Sequence, residues 1–157
     1  MRLAIRAEIG DDNRGLRAFE VMDSRLNGSR EELYAILGEL GASAVQENIH
    51  TEGGRLGLSW PTLNPVTIRI RQHYGHGRGP RLIRGGDLLH SIHVLSTNAD
   101  ASEVGSLLPY ASVLDTGGLY EGRNVQAFPY LQLSDQDLDD MMEVALDFFS
   151  GEERQPQ

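Results

Sequence analysis

Between Arg30 and His50 apolar residues recur at helical spacing. Leu33, Ile36, Leu37, Leu40 and Ala44 fall on one stripe, and such a stripe must turn inward against other apolar surface. Ser29 with Glu32 three residues on forms a capping box that starts the run. The spacing predicts a helix from about Arg30 to His50. Gly38 and Gly41 interrupt it, each at about 1 kcal/mol relative to alanine. A close neighbour on that side would explain them.

A second helix is written just as clearly near the C-terminus. Ser134 is its N-cap, and Asp135 and Asp137 lie in the first turn, where the helix dipole favours negative charge. Leu138, Met141, Met142, Ala145 and Phe149 make the inward stripe. Residues 151–157 are expected to fray.

The remaining elements are shorter. Leu3, Ile5, Ala7 and Ile9 alternate with Arg2, Arg6 and Glu8, the period of a half-buried strand. Leu16, Phe19, Met22 and Leu26 then suggest a short helix weakened by Gly15. Residues 51–67 are punctuated by glycine and proline and read as loop and turn. Ile68 and Ile70 alternate with Arg69 and Arg71, which suits a strand or an extended arm. A flexible loop rich in glycine and arginine is expected at about 72–86. "DLLHSIHVLS" reads as a strand, with room for a helical first turn at Gly86 to Leu89. A short strand follows, then a turn at Pro109 and an apolar run ended by Gly117 and Gly118. "VQAFPYLQL" is extended, because the residue before Pro129 is pushed out of the helical region. No repeat or linker divides the chain, so residues 1–150 are expected to form one domain.

Composition removes several chemistries. Cysteine is absent from the 157 residues, which excludes disulfides, thiolate metal sites and cysteine nucleophiles. Lysine is absent too: all 14 basic residues are arginine. A P-loop and Schiff-base catalysis both need lysine. No apolar run is long enough to span a membrane. The start of the chain shows no secretion signal, and no membrane partner is expected.

The net charge of −9 argues against general nucleic-acid binding, which relies on neutralising phosphates. The charge is unevenly placed, however. From Gly53 to Gly86 there is no acid, while Arg55, Arg69, Arg71, Arg78, Arg81 and Arg84 all fall inside. From Ala99 onward only Arg123 and Arg154 oppose the acids. One segment is basic and the tail is acidic.

Individual sites are weak. "GHGRGP" lacks the strand–loop–helix context of a phosphate cradle, and Pro80 removes an N–H where one is needed. His73 and His76 have no acid nearby to complete a metal shell. His90 and His93, placed on a strand, would face opposite ways. No serine sits in a nucleophile-elbow pattern. Trp60 and Tyr110 are read as core or turn residues. No enzyme, cofactor or metal centre is expected.

The order of the punctuating segments carries more than any one of them. "WPTLNPVT" comes first, then "LIRGGDLLHSI", then "VGSLLPYASVLDTGG", then "VQAFPYLQLSDQD". This succession, covering roughly Gly53 to Asp140, resembles the phage virion-morphogenesis family, the tail-completion proteins of Mu-like phages and related prophages. The chain departs from the family's usual pattern at Gln126 to Phe128 and at Leu114-Asp115. The resemblance implies an α+β fold: a curved, mainly antiparallel sheet packed with N-terminal helices and a C-terminal helix. It also implies a structural role in the virion and, during assembly, in the host cytoplasm. Such proteins complete the tail and help join it to the head, as rings with six as the expected copy number. Expected partners are further copies of the chain, the tail tube and the head–tail connector.

A ring joins one surface to a different surface on the next copy. The basic segment and the acidic helix supply two such surfaces. Arg69, Arg71, Arg78, Arg81 and Arg84 on one side, and Asp139, Asp140, Glu143 and Asp147 on the other, are the candidate interface residues. The alternative is a nucleic-acid-binding module using the Arg55–Arg84 segment, with DNA contact secondary in the ring reading.

Overall fold

The structure is a computed structural model that describes residues 2–5, 30–76 and 79–150. In chain order its elements are β1 (Arg2–Ile5), α1 (Arg30–His50), a 3-10 turn (Gly54–Leu56), α2 (Pro65–His73), α3 (Asp87–Ser91), β2 (His93–Thr97), β3 (Ser102–Gly105), α4 (Ala111–Thr116), β4 (Gly118–Tyr120), β5 (Arg123–Val125) and α5 (Asp135–Ser150). This is an α+β fold. The helix expected over residues 11–26, the cap at Ser29 and the tail 151–157 lie outside the described residues, as does Arg78.

Three strands form an antiparallel sheet in the order β1–β3–β2. Arg2 pairs with Gly105 and Ile5 with Ser102. On the other side His93 pairs with Gly105 and Thr97 with Ser102, with a register shift between Val94 and Ser96. β4 and β5 form a separate hairpin. Its turn, Glu121-Gly122, has φ of 48° and 74°, the doubly positive pattern whose twist matches the flanking strands.

The long helix has the expected bounds and occupies the centre, with the sheet on one side and α5 on another. Being covered from two directions, it buries a wider face than a single stripe. Leu33, Leu37 and Ala44 are inward as expected, and so are Tyr34, Ala42, Val45 and Ile49. Ile36 falls outside this face and is exposed. Gly38 is explained by its neighbour: a Cβ there would lie 2.2 Å from the Ser102 Oγ and 3.1 Å from Val94 Cγ2. The missing side chain lets helix and sheet approach. At the far end Gly53 takes φ of 80°, and a Cβ would lie 2.5 Å from Trp60 Nε1.

The segment before α5 forms neither helix nor strand, and among the described residues it joins no ladder. Buried backbone groups need partners, and side chains supply them. The carboxylate of Asp115 accepts from the N–H groups of Tyr130 and Leu131, both at 2.9 Å. Asn48 donates to the carbonyls of Tyr130 at 3.0 Å and Gln132 at 2.8 Å. Trp60 donates to Pro129 at 3.2 Å and packs edge-on against Phe128. Tyr130 donates its hydroxyl to the Ala111 carbonyl. Burial, then the nearby Asp115 carboxylate, push the Tyr130 phenol well above its ordinary pKa.

Two local expectations are corrected. Residues 65–73 are helical, not extended. Asn64 caps the helix by accepting from Val66 N–H at 2.9 Å, and Pro65 sits in the first turn, where its missing N–H costs nothing. His90 lies on α3 rather than on the strand that carries His93, because the run from Asp87 to Ser91 completes a helical turn after Gly86. Leu88, Leu89 and Ile92 are buried and anchor this stretch.

Candidate functional site

The arginines of the basic segment have different tasks. Arg71 points inward from α2 and is buried. It donates to the carbonyls of Gly79, Pro80 and Arg81 at 3.2, 2.9 and 2.8 Å. Only a guanidinium has the planar fork for three acceptors on one bend. Burial first, then the charge of Arg84, lowers the Arg71 pKa, and Glu52 opposes this. Arg81 pairs with Glu52 at 2.6 Å and donates to the Pro61 carbonyl at 2.8 Å. Residues 79–83 are therefore tied to α2 and to the end of α1.

Arg55 makes an ion pair with Asp137 in the first turn of α5. The basic segment thus already meets the acidic helix inside one chain. Among the described candidate arginines, two stay on the surface. Arg69 is exposed on α2, and Arg84 is exposed with its guanidinium 5.5 Å from the centre of the Tyr74 ring.

On α5 the caps behave as the sequence predicts. Ser134 Oγ accepts from Asp137 N–H at 3.2 Å, while the Asp137 carboxylate accepts from Ser134 N–H at 2.8 Å. Asp139, Asp140 and Glu143 are exposed and Asp147 is half-buried. Asp140 also accepts from Gln136 at 2.7 Å.

The inward stripe of α5 needs correction. Met141 is buried, but Leu138 is 51% and Met142 63% exposed. Asp137 explains the rotation. Its carboxylate is buried against Arg55 and Ser134, so the helix turns the side carrying Asp137 and Met141 inward. Leu138, Met142 and Leu146 (62% exposed) are left as an outward apolar row at four-residue steps.

A matching row runs along α2 to its C-cap, Tyr74. Val66, Ile70 and Tyr74 are 58%, 45% and 62% exposed, again four residues apart. With Arg71 turned inward and Ile68 half-buried, Val66, Ile70 and Tyr74 are left facing out. The spacing was visible in the sequence, but only for a chain read as helix. Contiguous exposed apolar surface of this kind marks interaction sites.

An open cleft of about 320 Å³ between α1 and α5 is lined by Ser43, Glu47, Arg55, Asp137 and Asp140, with Leu40 and Met141. Arg55 and Asp137 within it already neutralise each other. Among the described residues no group of three His, Asp or Glu is placed to hold a metal ion. No described helix is long and apolar enough to cross a membrane.

No family model, curated protein or solved structure matches the chain.

Proposed function

We propose that the chain is a structural component of a tailed phage or prophage, acting as a homo-oligomeric ring that completes the tail and joins it to the head. Further copies, the tail tube and the head–tail connector are its partners, and the virion its final location. It is not an enzyme. The observation that carries this reading is the pair of outward apolar rows, one on a helix within the acid-free segment and one on a helix with six acids and no base. Two unlike, complementary surfaces on one small fold are what a closed heterologous ring requires. The succession of segments from Trp60 to Asp140 supports the phage assignment.

Sedimentation velocity over a range of protein concentration and salt tests the ring. Discrete self-association is expected, weakening as salt rises. A monomer under every condition would refute it. Deletion of the gene from an inducible prophage tests the virion role. Unjoined heads and tails are expected in electron micrographs of the lysate, and intact infectious particles would refute that role.

The nucleic-acid reading draws support from exposed Arg69 and Arg84. It is the weaker one, because Arg55, Arg71 and Arg81 are engaged within the chain. It predicts DNA affinity that falls steeply with salt.

A further inference from the structure

We propose that α2 of one copy docks along α5 of the next, axes parallel, with Val66, Ile70 and Tyr74 seated on Leu138, Met142 and Leu146. The proposal rests on the ring reading above and gives it a specific contact.

The two rows match in length and chemistry. Each covers eight residue steps, about 12 Å of helix. Each is a run of three large apolar side chains, about half or more exposed. α2 is also a peripheral helix. Among the described residues it packs extensively on no other helix or strand, and Arg71 with its loop carbonyls holds it in place. Its row projects outward from a fixed support.

Charge selects the partner. α2 carries Arg69, Arg71 and His73 and no acid, and Arg84 stacks on Tyr74 at the end of the row. α5 carries acids at 135, 137, 139, 140, 143 and 147 and no base. Two copies of α5 facing each other would set acid against acid, and two copies of α2 would set base against base. The unlike pairing is the complementary one, and such charge fixes partner and register more than affinity.

Charge also selects direction. Consider a right-handed helix seen with its apolar row facing the observer and its N-terminus down. Each residue advances about 100°, so positions just after the row lie to the right and positions just before it to the left. On α5, Asp139, Glu143 and Asp147 follow Leu138, Met142 and Leu146, so the acids lie to the right. On α2, Arg69 and His73 precede Ile70 and Tyr74, so the bases lie to the left. When two helices face each other with axes parallel, the right edge of one meets the left edge of the other. The charged edges then coincide. An antiparallel arrangement separates them.

The absence of cysteine makes this directly testable by cross-linking. Mixing Ile70→Cys protein with Met142→Cys protein under oxidation should give a disulfide-linked heterodimer on non-reducing gels. Each variant alone should stay uncross-linked. Val66→Cys with Leu138→Cys should also link, while Val66→Cys with Leu146→Cys should not. Met142→Asp should weaken self-association of the wild-type sequence by about tenfold or more. It should lower the thermal stability of the monomer only slightly, by the helix-propensity and like-charge cost of one more acid on α5, and far less than Met141→Asp, whose side chain is buried.

Efficient Met142→Cys homodimers would overturn the unlike pairing. Linking of Val66→Cys to Leu146→Cys would overturn the direction. A fall in monomer stability with Met142→Asp as large as that with Met141→Asp would place that face inside the folded chain and overturn the docking. If wild-type protein forms rings while no α2–α5 pair cross-links, this contact fails and the ring reading stands. If wild-type protein never self-associates, both fail.

Discussion

Asn48 offers the sharpest test of how the fold is held. It is fully buried in the last turn of α1, the longest described helix. Its amide donates to the carbonyls of Tyr130 and Gln132, which belong to a segment with no strand partner. Asn48→Ala removes both donors. An orphaned buried polar group costs about 1–3 kcal/mol. Gln132 is exposed and its carbonyl can recruit water, so that loss sits at the low end. The Asn48 Oδ1 atom accepts no hydrogen bond from the described residues, so deleting it returns part of the cost. The net loss is about 2–3 kcal/mol, a drop of about 5–10 °C in Tm for a domain of this size. Asn48→Asp should be worse at neutral pH, since a carboxylate donates nothing and faces two carbonyl oxygens. Burial raises that carboxyl's folded pKa above its unfolded one. The deficit should therefore shrink as pH falls and the acid gains a donor proton. Thermal unfolding of both variants, followed by circular dichroism from neutral to acid pH, checks this. An Asp variant as stable as the Ala variant at pH 7 would refute the assignment of Asn48 as a donor.

Gly38→Ala should destabilise by about 1–2 kcal/mol, overpacking against Ser102 outweighing the gain in helix propensity; Ser102→Ala should recover part of the loss in a double-mutant cycle followed by urea unfolding. Arg71→Lys should loosen residues 79–83, seen as at least tenfold faster hydrogen exchange of their amides with little change in the sheet, because one ammonium cannot serve three carbonyls in the guanidinium's plane. Tyr130, with its folded pKa raised, contributes stability that is complete below the unfolded phenol pKa of about 10 and is lost as pH rises through the folded value. Tm should thus fall above about pH 10, less steeply in Tyr130→Phe.

Much of this architecture is legible in the sequence where one local signal dominates. The stripe from Leu33 to Ala44 and the Ser134–Asp137 cap need only neighbouring residues, and both helices follow. The helix at Pro65 is harder. Ile68 to Arg71 alternates like a strand, yet Asn64 and Pro65 set the backbone before that alternation begins. The β4–β5 hairpin turns on Glu121-Gly122, a weaker signal than an asparagine–glycine pair.

The candidate surface is hidden for a different reason. α5 has apolar residues on more than one side, so periodicity cannot choose which side turns inward. The choice is made by Arg55 pairing with Asp137, 82 residues along the chain. Asn48 and Asp115 are likewise ordinary polar letters in helices until the segment around Tyr130 reaches them. The split between basic and acidic stretches is plain in the sequence. Which arginines are spent internally is visible only in three dimensions.

The way residues 128–132 are fastened has a temporal consequence. Their ties reach back to Trp60 and Asn48, so the long helix lacks its clasp while only the first hundred residues have been synthesised. Closing such distant contacts is entropically slow. The C-terminal helix follows directly on that clasp, so its seating is among the last events of folding.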